Sequence, residues 1–189
     1  SPHIVLEEAG LSYETEVVDL AKKVTASGAD FLAINPKGYV PALQLDSGEV
    51  LTEGPAIVQY LADLAPGKNL APANGTLARY HLQSWLTFIG TEIHKNFSPF
   101  FNPAAPAEMK AIARANLERR LGYINEQLAG QNYLMGETFT VVDAYLFTVT
   151  NWSKFVQLDL AQWPHLAAFM ARVAARPAVQ AALKAEGLI

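Results

Sequence analysis

The stretch Ala65–Gly75 reads APGKNLAPANG and is the densest cluster of proline, glycine and asparagine in the 189-residue sequence. These residues interrupt both helices and strands, because proline fixes its own backbone angle and glycine and asparagine favour turns. The stretch therefore indicates a connection between two structural units. We expect the units to be residues 1–65 and 77–189, joined by a linker over residues 66–76.

On the N-terminal side of this connection, short β-rich runs alternate with helical ones. An early proline and a closing glycine predict a helix over Ser1–Gly10. The segment Tyr13–Asp19 (YETEVVD) mixes aromatic and β-branched residues and predicts a strand. The turn residues Asp46–Gly48 predict a hairpin between Ala42–Leu45 and Glu49–Thr52.

The predicted helix and strand at the start of this unit imply a parallel crossover from an earlier strand. We expect that strand and its loop to occupy about a dozen residues before Ser1, since a strand and a short loop have that combined length. The first unit is therefore predicted to be α/β with its first strand missing from the sequence given.

On the C-terminal side, apolar residues repeat at spacings of three and four, which is typical of helices that bury one face. Two such series are Leu82, Trp85, Leu86 and Ile89, and Leu117, Leu121, Ile124 and Leu128. We predict an all-helical second unit, so the fold class is α/β plus all-α.

Local signals mark where several of these helices begin. Thr140 and Asp143 stand three residues apart directly before an apolar run, which predicts a capping box with Phe139 as a hydrophobic staple. Pro164 and Pro177 predict the first turns of two further helices.

Composition limits the classes of protein to consider. Hydrophobic residues make up 51% of the chain and charged residues 17%, which is enough for a packed core and too apolar for a disordered chain. The net charge of -4 leaves no basic surplus for binding nucleic acid. No apolar run reaches the ~18 residues of a membrane helix. We expect a cytoplasmic globular protein with no nucleic-acid partner and no membrane attachment.

The reactive residue types narrow the chemistry further. The sequence contains no cysteine, which excludes disulfides, zinc-thiolate sites, iron–sulfur clusters and a cysteine nucleophile within these residues. Its four histidines show no close metal-binding spacing, so no metal site is expected.

The first candidate binding segment is Asn35–Leu43, NPKGYVPAL. Proline favours an extended conformation in the residue before it, so Val40 is expected to present its N–H and C=O like an unpaired strand edge. A short peptide can pair with such an edge. The alternative is an ordinary loop that enters a strand, with no binding role for Val40 and Pro41.

The second candidate is Leu51–Leu61, LTEGPAIVQYL, in which a strand ends and Pro55 begins a helix. Free N–H groups at a helix start bind carboxylates, and Gly54 allows a ligand to approach closely. Glu53 beside them accepts hydrogen bonds from an ammonium group, so the pair suits both charges of an amino acid. The alternative is that Thr52 or Glu53 only interacts favourably with the helix dipole.

The third candidate lies in the helical unit. Thr87, Thr91 and His94 fall on one face of a regular helix and form a predicted polar strip. Aromatic residues that can wall an apolar pocket follow it: Phe97, Phe100 and Phe101. The alternative for His94 is a position at the surface or in contact with site residues without touching the substrate. The alternative for the phenylalanines is that they belong to the core.

Taken in order, these segments resemble a cytosolic glutathione transferase over the whole chain. The order is helix, strand, NPKGYVPAL, hairpin, LTEGPAIVQYLA, linker and a helical unit with TVVDAYLF. Two segments resemble one class of this family, the bacterial beta class: HKNFSPFFNP and the C-terminal ARPAVQAALKAEGLI. The resemblance implies a thioredoxin-like N-terminal domain, an all-helical C-terminal domain and a homodimer that binds glutathione.

The resemblance also implies binding roles in the first domain. Val40 and Pro41 would form a cis-proline turn that pairs with the cysteinyl part of glutathione. Glu53 and Gly54 would hold the γ-glutamyl end, and Lys23 matches a basic position used towards the glycyl end.

In the helical domain, His94 matches the histidine that the class has near the thiol. Thr91 lies where one subunit reaches the site of the other. The class commonly has asparagine at the position of Thr87, so we expect an altered polar contact there. The catalytic cysteine of the class precedes the motif that matches Ser1–His3, so we expect it upstream and assign Ser1 no such role.

The expected reaction uses glutathione as the nucleophile and an apolar electrophile near the three phenylalanines. A free thiol has a pKa of ~8.5, so the site must stabilise the thiolate, with His94 as a donor or, if neutral, as a base. Disulfide exchange or dehalogenation competes if an upstream cysteine takes part. A non-catalytic ligand carrier or regulatory module is the alternative function.

Overall fold

The computed structural model describes residues 1–189. Its N-terminal part combines short helices with two β-hairpins. The elements are α1 Pro2–Ala9, β1 Val18–Asp19, β2 Val24–Thr25, α2 Phe31–Ile34, β3 Ala42–Gln44, β4 Val50–Thr52 and α3 Gly54–Leu64. The predicted first helix is confirmed, and it ends at Gly10, whose φ of 69° is readily adopted by glycine.

The strands of this part form two separate antiparallel pairs. The predicted hairpin is confirmed, because β3 pairs with β4 in the register Leu43 to Leu51. The predicted strand over Tyr13–Asp19 is wrong in its extent, since only Val18–Asp19 pairs, with Val24–Thr25. Residues 13–17 have strand-like composition but pair with no strand among residues 1–189, and a ladder requires a partner.

The rest of the chain is helical, as predicted. The helices are α4 Leu77–Phe88, α5 Lys95–Phe101, α6 Ala107–Gln127, α7 Val141–Thr150, α8 Pro164–Ala174 and α9 Pro177–Ala185. A π-helical turn covers Ile89–His94, and 3-10 turns cover Pro66–Lys68, Asn151–Val156 and Leu160–Gln162. None of the helices combines the length and the apolar character needed to cross a bilayer.

Helix α7 lies at the centre of the helical part, since nine of its ten residues are buried. The predicted capping box at its start is confirmed. The Asp143 carboxylate accepts hydrogen bonds from the Thr140 N–H at 2.8 Å and from the Leu134 N–H at 3.0 Å. Phe139 is buried directly before the cap, and this frame positions the rest of α7.

The two parts of the chain share one apolar core, which includes residues of α1, α3 and α7. The Arg79 guanidinium on α4 makes two 2.8 Å contacts with the Asp63 carboxylate on α3. Arg176, just before α9, binds Glu8 on α1 at 2.9 Å. The packing is therefore continuous across the linker, and the division into residues 1–65, 66–76 and 77–189 stays a prediction.

Candidate functional site

The turn before β3 carries the first candidate binding edge. The Val40–Pro41 peptide bond is cis, as the resemblance implies. Val40 is 47% exposed, and its backbone N–H and C=O form no hydrogen bond within the chain. Both groups are thus available to pair with an extended peptide.

Lys23 helps to hold the loop that carries this edge. Its ammonium group donates to the Gly38 carbonyl at 2.8 Å, and the Asn35 amide donates to the Tyr39 carbonyl at 2.7 Å. An ammonium group has three donors, so Lys23 keeps capacity for a ligand. Its role towards the glycyl end of glutathione stays a prediction, and its contact with Gly38 had no signal in the sequence.

Glu53 stands between β4 and α3 in an unusual backbone conformation. Its φ is 70° and its ψ is 111°, a region that is costly for a non-glycine residue and is found most often at functional sites. Its side chain makes no capping hydrogen bond to α3. The carboxylate instead accepts a 2.8 Å hydrogen bond from Lys37 and is 65% exposed, so it is accessible to a ligand.

Gly54 connects this carboxylate to the Val40–Pro41 turn. It is the first residue of α3, so its N–H lacks an acceptor within the helix. A Cβ at Gly54 would lie 3.7 Å from Cγ of Pro41. The structure therefore brings the two predicted segments of the α/β part together, with a free helix start beside the exposed strand edge.

His94 lies in the helical part and is half-buried. Its Nδ1 atom is 2.8 Å from the Tyr145 hydroxyl, and its ring centroid is 4.7 Å from that of Trp152, edge to face. Burial, and next the positive charge of Lys95, lower the pKa of His94 below its usual value. The imidazole is therefore neutral at pH 7.

The predicted polar strip of Thr87, Thr91 and His94 is wrong as a single face. The threonines are exposed, and their hydroxyls donate to the carbonyls four residues earlier, at 2.8 and 3.0 Å. The π-helical turn over Ile89–His94 is wider than an α-helical turn. It shifts the phase of the helix and turns His94 towards Tyr145.

The three phenylalanines lie at different depths, which corrects the prediction that all of them line a pocket. Phe97 is fully buried in the core, and Phe101 is 52% exposed. Both pack edge to face against Trp152, with centroids 5.8 Å away. Phe100 is partly buried under the guanidinium of Arg114.

Trp152 and Tyr145 are thus the residues that the sequence interpretation missed. Trp152 contacts His94 and Phe101, which are more than 50 residues earlier in the chain. No local pattern reports such a contact. Tyr145 lies within the motif that predicted the start of α7, but an apolar run does not show which partner a buried hydroxyl finds.

The two halves of the site are electrostatically connected. Burial, and next the Glu53 carboxylate, raise the pKa of Tyr145 to about 12. A charge on the α/β side therefore acts on the residue that contacts His94 on the helical side, which agrees with the packing of α3 against α7.

Comparison with known proteins identifies the family. Residues 2–64 match the glutathione S-transferase N-terminal domain, and residues 88–177 match the glutathione S-transferase C-terminal domain. The chain belongs to the glutathione S-transferase family. It is therefore a transferase with glutathione as its co-substrate, and its N-terminal part is the thioredoxin-like domain of that family.

Individual glutathione S-transferases are similar over nearly the whole chain. GstA of Escherichia coli O157:H7 is 50% identical, with 98% of this chain and 92% of that protein covered. The structure of a sphingomonad enzyme complexed with glutathione has a TM-score of 0.96 at 49% identity, covering 100% of this chain and 94% of that one. The bacterial beta-class enzyme of Sphingomonas chungbukensis has the same TM-score and coverage at 47% identity.

This glutathione S-transferase also has clefts away from the predicted site. Two open clefts of about 250 Å³ contain none of the predicted site residues. One is lined by Trp85, Phe88 and Tyr123, with Ser84 and Arg120. No group of histidine, aspartate and glutamate side chains is arranged to hold a metal ion.

Proposed function

We propose that glutathione binds across the Val40–Pro41 turn and the start of α3. Its sulfur loses the thiol proton and forms a bond to a hydrophobic electrophile held beside Trp152. One observation carries this proposal: Pro41 lies within van der Waals reach of a Cβ at Gly54. A peptide edge and a helix start with an adjacent carboxylate therefore form one continuous surface.

The charges of this surface match those of glutathione. The γ-glutamyl group carries a carboxylate and an ammonium on one carbon. The unpaired N–H of Gly54 at the start of α3 suits the carboxylate. Glu53 suits the ammonium, exchanging its exposed contact with Lys37 for a ligand. The cysteinyl part pairs with the backbone of Val40, and Lys23 faces the glycyl carboxylate.

The acceptor side is formed by aromatic surfaces around His94. Trp152 and Phe101 offer exposed or partly exposed ring faces, and Phe100 adds a partly buried one. Phe97 supports Trp152 from the core. These rings favour an apolar electrophile, because burial of apolar area stabilises its binding. His94 lies at the edge of this surface, near the position proposed for the thiol.

We also propose that the enzyme works as a homodimer in the cytoplasm. Helix α4 exposes Leu77 and Tyr80, and the cleft beside it contains the aromatic rings of Trp85, Phe88 and Tyr123. Such a surface suits a partner subunit. Thr87 and Thr91 are exposed on the same stretch, where they can reach the site of the partner. The resemblance to cytosolic glutathione transferases supports the proposed cytoplasmic location.

Calorimetric titration of the purified protein with reduced glutathione tests the site. We expect saturable binding, weakened about tenfold in Glu53→Ala because a charged hydrogen bond is lost. Glu49→Ala, on the neighbouring hairpin, is the matched control and should bind like the wild type. Equal binding by Glu53→Ala and the wild type would contradict the proposed site.

A further inference from the structure

We propose that Tyr145 is a positioning residue that fixes the tautomer of His94. Its hydroxyl donates a hydrogen bond to Nδ1 of His94, so the single proton of the neutral imidazole lies on Nε2. The tautomer assignment does not depend on the proposed function. Only the identification of the glutathione sulfur as the hydrogen-bond acceptor of Nε2–H rests on it.

The first argument is the hydrogen-bond inventory of the tyrosine. Its hydroxyl lies 2.8 Å from Nδ1 of His94, and no other group in the chain forms a hydrogen bond with it. Tyr145 is only 5% exposed. If Nδ1 carried the proton and donated it, the phenolic proton would be left buried without an acceptor, which is unfavourable.

The protonation states of both partners are consistent with this assignment. The burial of Tyr145 and the negative charge of Glu53 keep its phenol protonated, and so able to donate. Burial of His94 and the positive charge of Lys95 keep the imidazole neutral, and so able to accept at Nδ1. A neutral histidine has one donor and one acceptor nitrogen.

The packing around the pair limits other arrangements. The ring of Trp152 contacts the imidazole edge to face. On the other side, a Cβ at Gly90 would already be 3.5 Å from the Tyr145 hydroxyl, so the backbone of the π-helical turn lies close to it. His94 makes no other hydrogen bond, which leaves Nε2 as its free polar atom.

The chemical consequence separates two roles for His94. An Nε2–H group can donate a hydrogen bond to the glutathione thiolate and stabilise it. The same nitrogen cannot remove the thiol proton, because its lone pair is not available. Within the proposed reaction, His94 is therefore a hydrogen-bond donor to the sulfur and not a general base.

Nitrogen-15 NMR of histidine-labelled protein without glutathione tests the tautomer directly. In the wild type we expect His94 to show a protonated Nε2 and an unprotonated Nδ1. Tyr145→Phe, which keeps the ring and removes the hydroxyl, should give a mixture of both tautomers. A protonated Nδ1 in the wild type would overturn the proposal, whether or not the variant folds.

Kinetics of the variants test the role in the reaction. Tyr145→Phe should lower turnover about fivefold, the effect of one neutral hydrogen bond, and change glutathione affinity less than twofold. Tyr133→Phe is the matched control, because Tyr133 is also buried and hydrogen-bonded, but to Arg176 away from the site. It should retain wild-type turnover.

A double-mutant cycle shows whether Tyr145 acts through His94. In a His94→Ala background, Tyr145→Phe should cause no further loss, and an equal loss in both backgrounds would overturn the positioning role. Absence of glutathione binding in the calorimetric titration would contradict the proposed function alone. The NMR result would still stand, so the two failures are distinguishable.

Discussion

The two sides of the site are built in opposite ways. On the α/β side, the groups proposed to bind glutathione belong to exposed backbone and to side chains in water: Val40 is 47% exposed and the Glu53 side chain 65%. On the helical side, the proposed site consists of packed side chains, and Tyr145, which is proposed to position His94, is only 5% exposed. The geometry of the α/β side is therefore set mainly by the backbone conformation. The geometry of the helical side is set by packing and hydrogen bonds between individual side chains.

This difference predicts how each side responds to substitution. An exposed side chain can be removed while the backbone beside it keeps its position. A buried polar side chain leaves its partners unpaired when it is removed, which costs far more. On the helical side, removal of a single polar group should therefore change stability or turnover markedly. On the α/β side, truncation of the Val40 side chain should change glutathione affinity very little.

The largest effect is expected at Asp143, which holds the start of α7 and thus the helix that carries Tyr145. Asp143→Ala leaves the Leu134 N–H and two Thr140 donors without an acceptor. We expect a loss of about 3 kcal/mol in the free energy of unfolding, measured by chemical denaturation. Asp159→Ala, which removes an exposed N-terminal cap, is the control and should cost less than about 1 kcal/mol. Equal losses in the two variants would contradict the expected difference between buried and exposed carboxylates.

The same carboxylate should give the helical side a pH dependence. Burial raises the pKa of Asp143 to about 6, above its unfolded value of ~3.9. As the pH rises, the carboxyl group therefore loses its proton in the unfolded state before it does so in the folded state. The stability that this difference in proton binding contributes is fully present below about pH 4 and is lost as the pH rises through about 6.

The comparison of wild type with Asp143→Asn isolates this contribution. The stability advantage of the wild type should shrink by about 2 kcal/mol between pH 4.5 and pH 7. Denaturation curves at both pH values measure it. An advantage that grows with pH would mean that Asp143 titrates below its unfolded pKa.

His94→Ala tests the catalytic part of the helical side. Loss of a hydrogen bond to a thiolate should lower turnover about tenfold, whereas glutathione affinity should change less than twofold because Val40 and Glu53 remain. Steady-state kinetics and calorimetry measure the two effects. His81→Ala, exposed on α4, is the control, and unchanged turnover in His94→Ala would rule out the role.

The smallest effect is expected at Val40, on the α/β side. Val40→Ala keeps the N–H and C=O that are proposed to pair with glutathione, so affinity should stay within twofold of the wild type, by the same calorimetry. A loss comparable to that of Glu53→Ala would show that the Val40 side chain takes part, and would remove the contrast between the two sides.

Several parts of the fold could be predicted because their causes are local. The hairpin around Asp46–Gly48, the cap at Thr140 and the helix starts at Pro164 and Pro177 each depend on residues a few positions apart. The strand over Tyr13–Asp19 was predicted too long, because composition reports strand propensity but not the presence of a partner strand.

The candidate site divides in the same way. The sequence by itself determined the family, from the order of segments along the chain. It also determined the Val40–Pro41 turn and the Glu53–Gly54 helix start, since each is a short contiguous motif. Only the tertiary structure decided that a π-helical turn directs His94 to Tyr145, that Phe97 is core and that Trp152 centres the aromatic surface. These are contacts between side chains many residues apart, and they depend on how α7 packs against the turn at Ile89–His94, which no local pattern records.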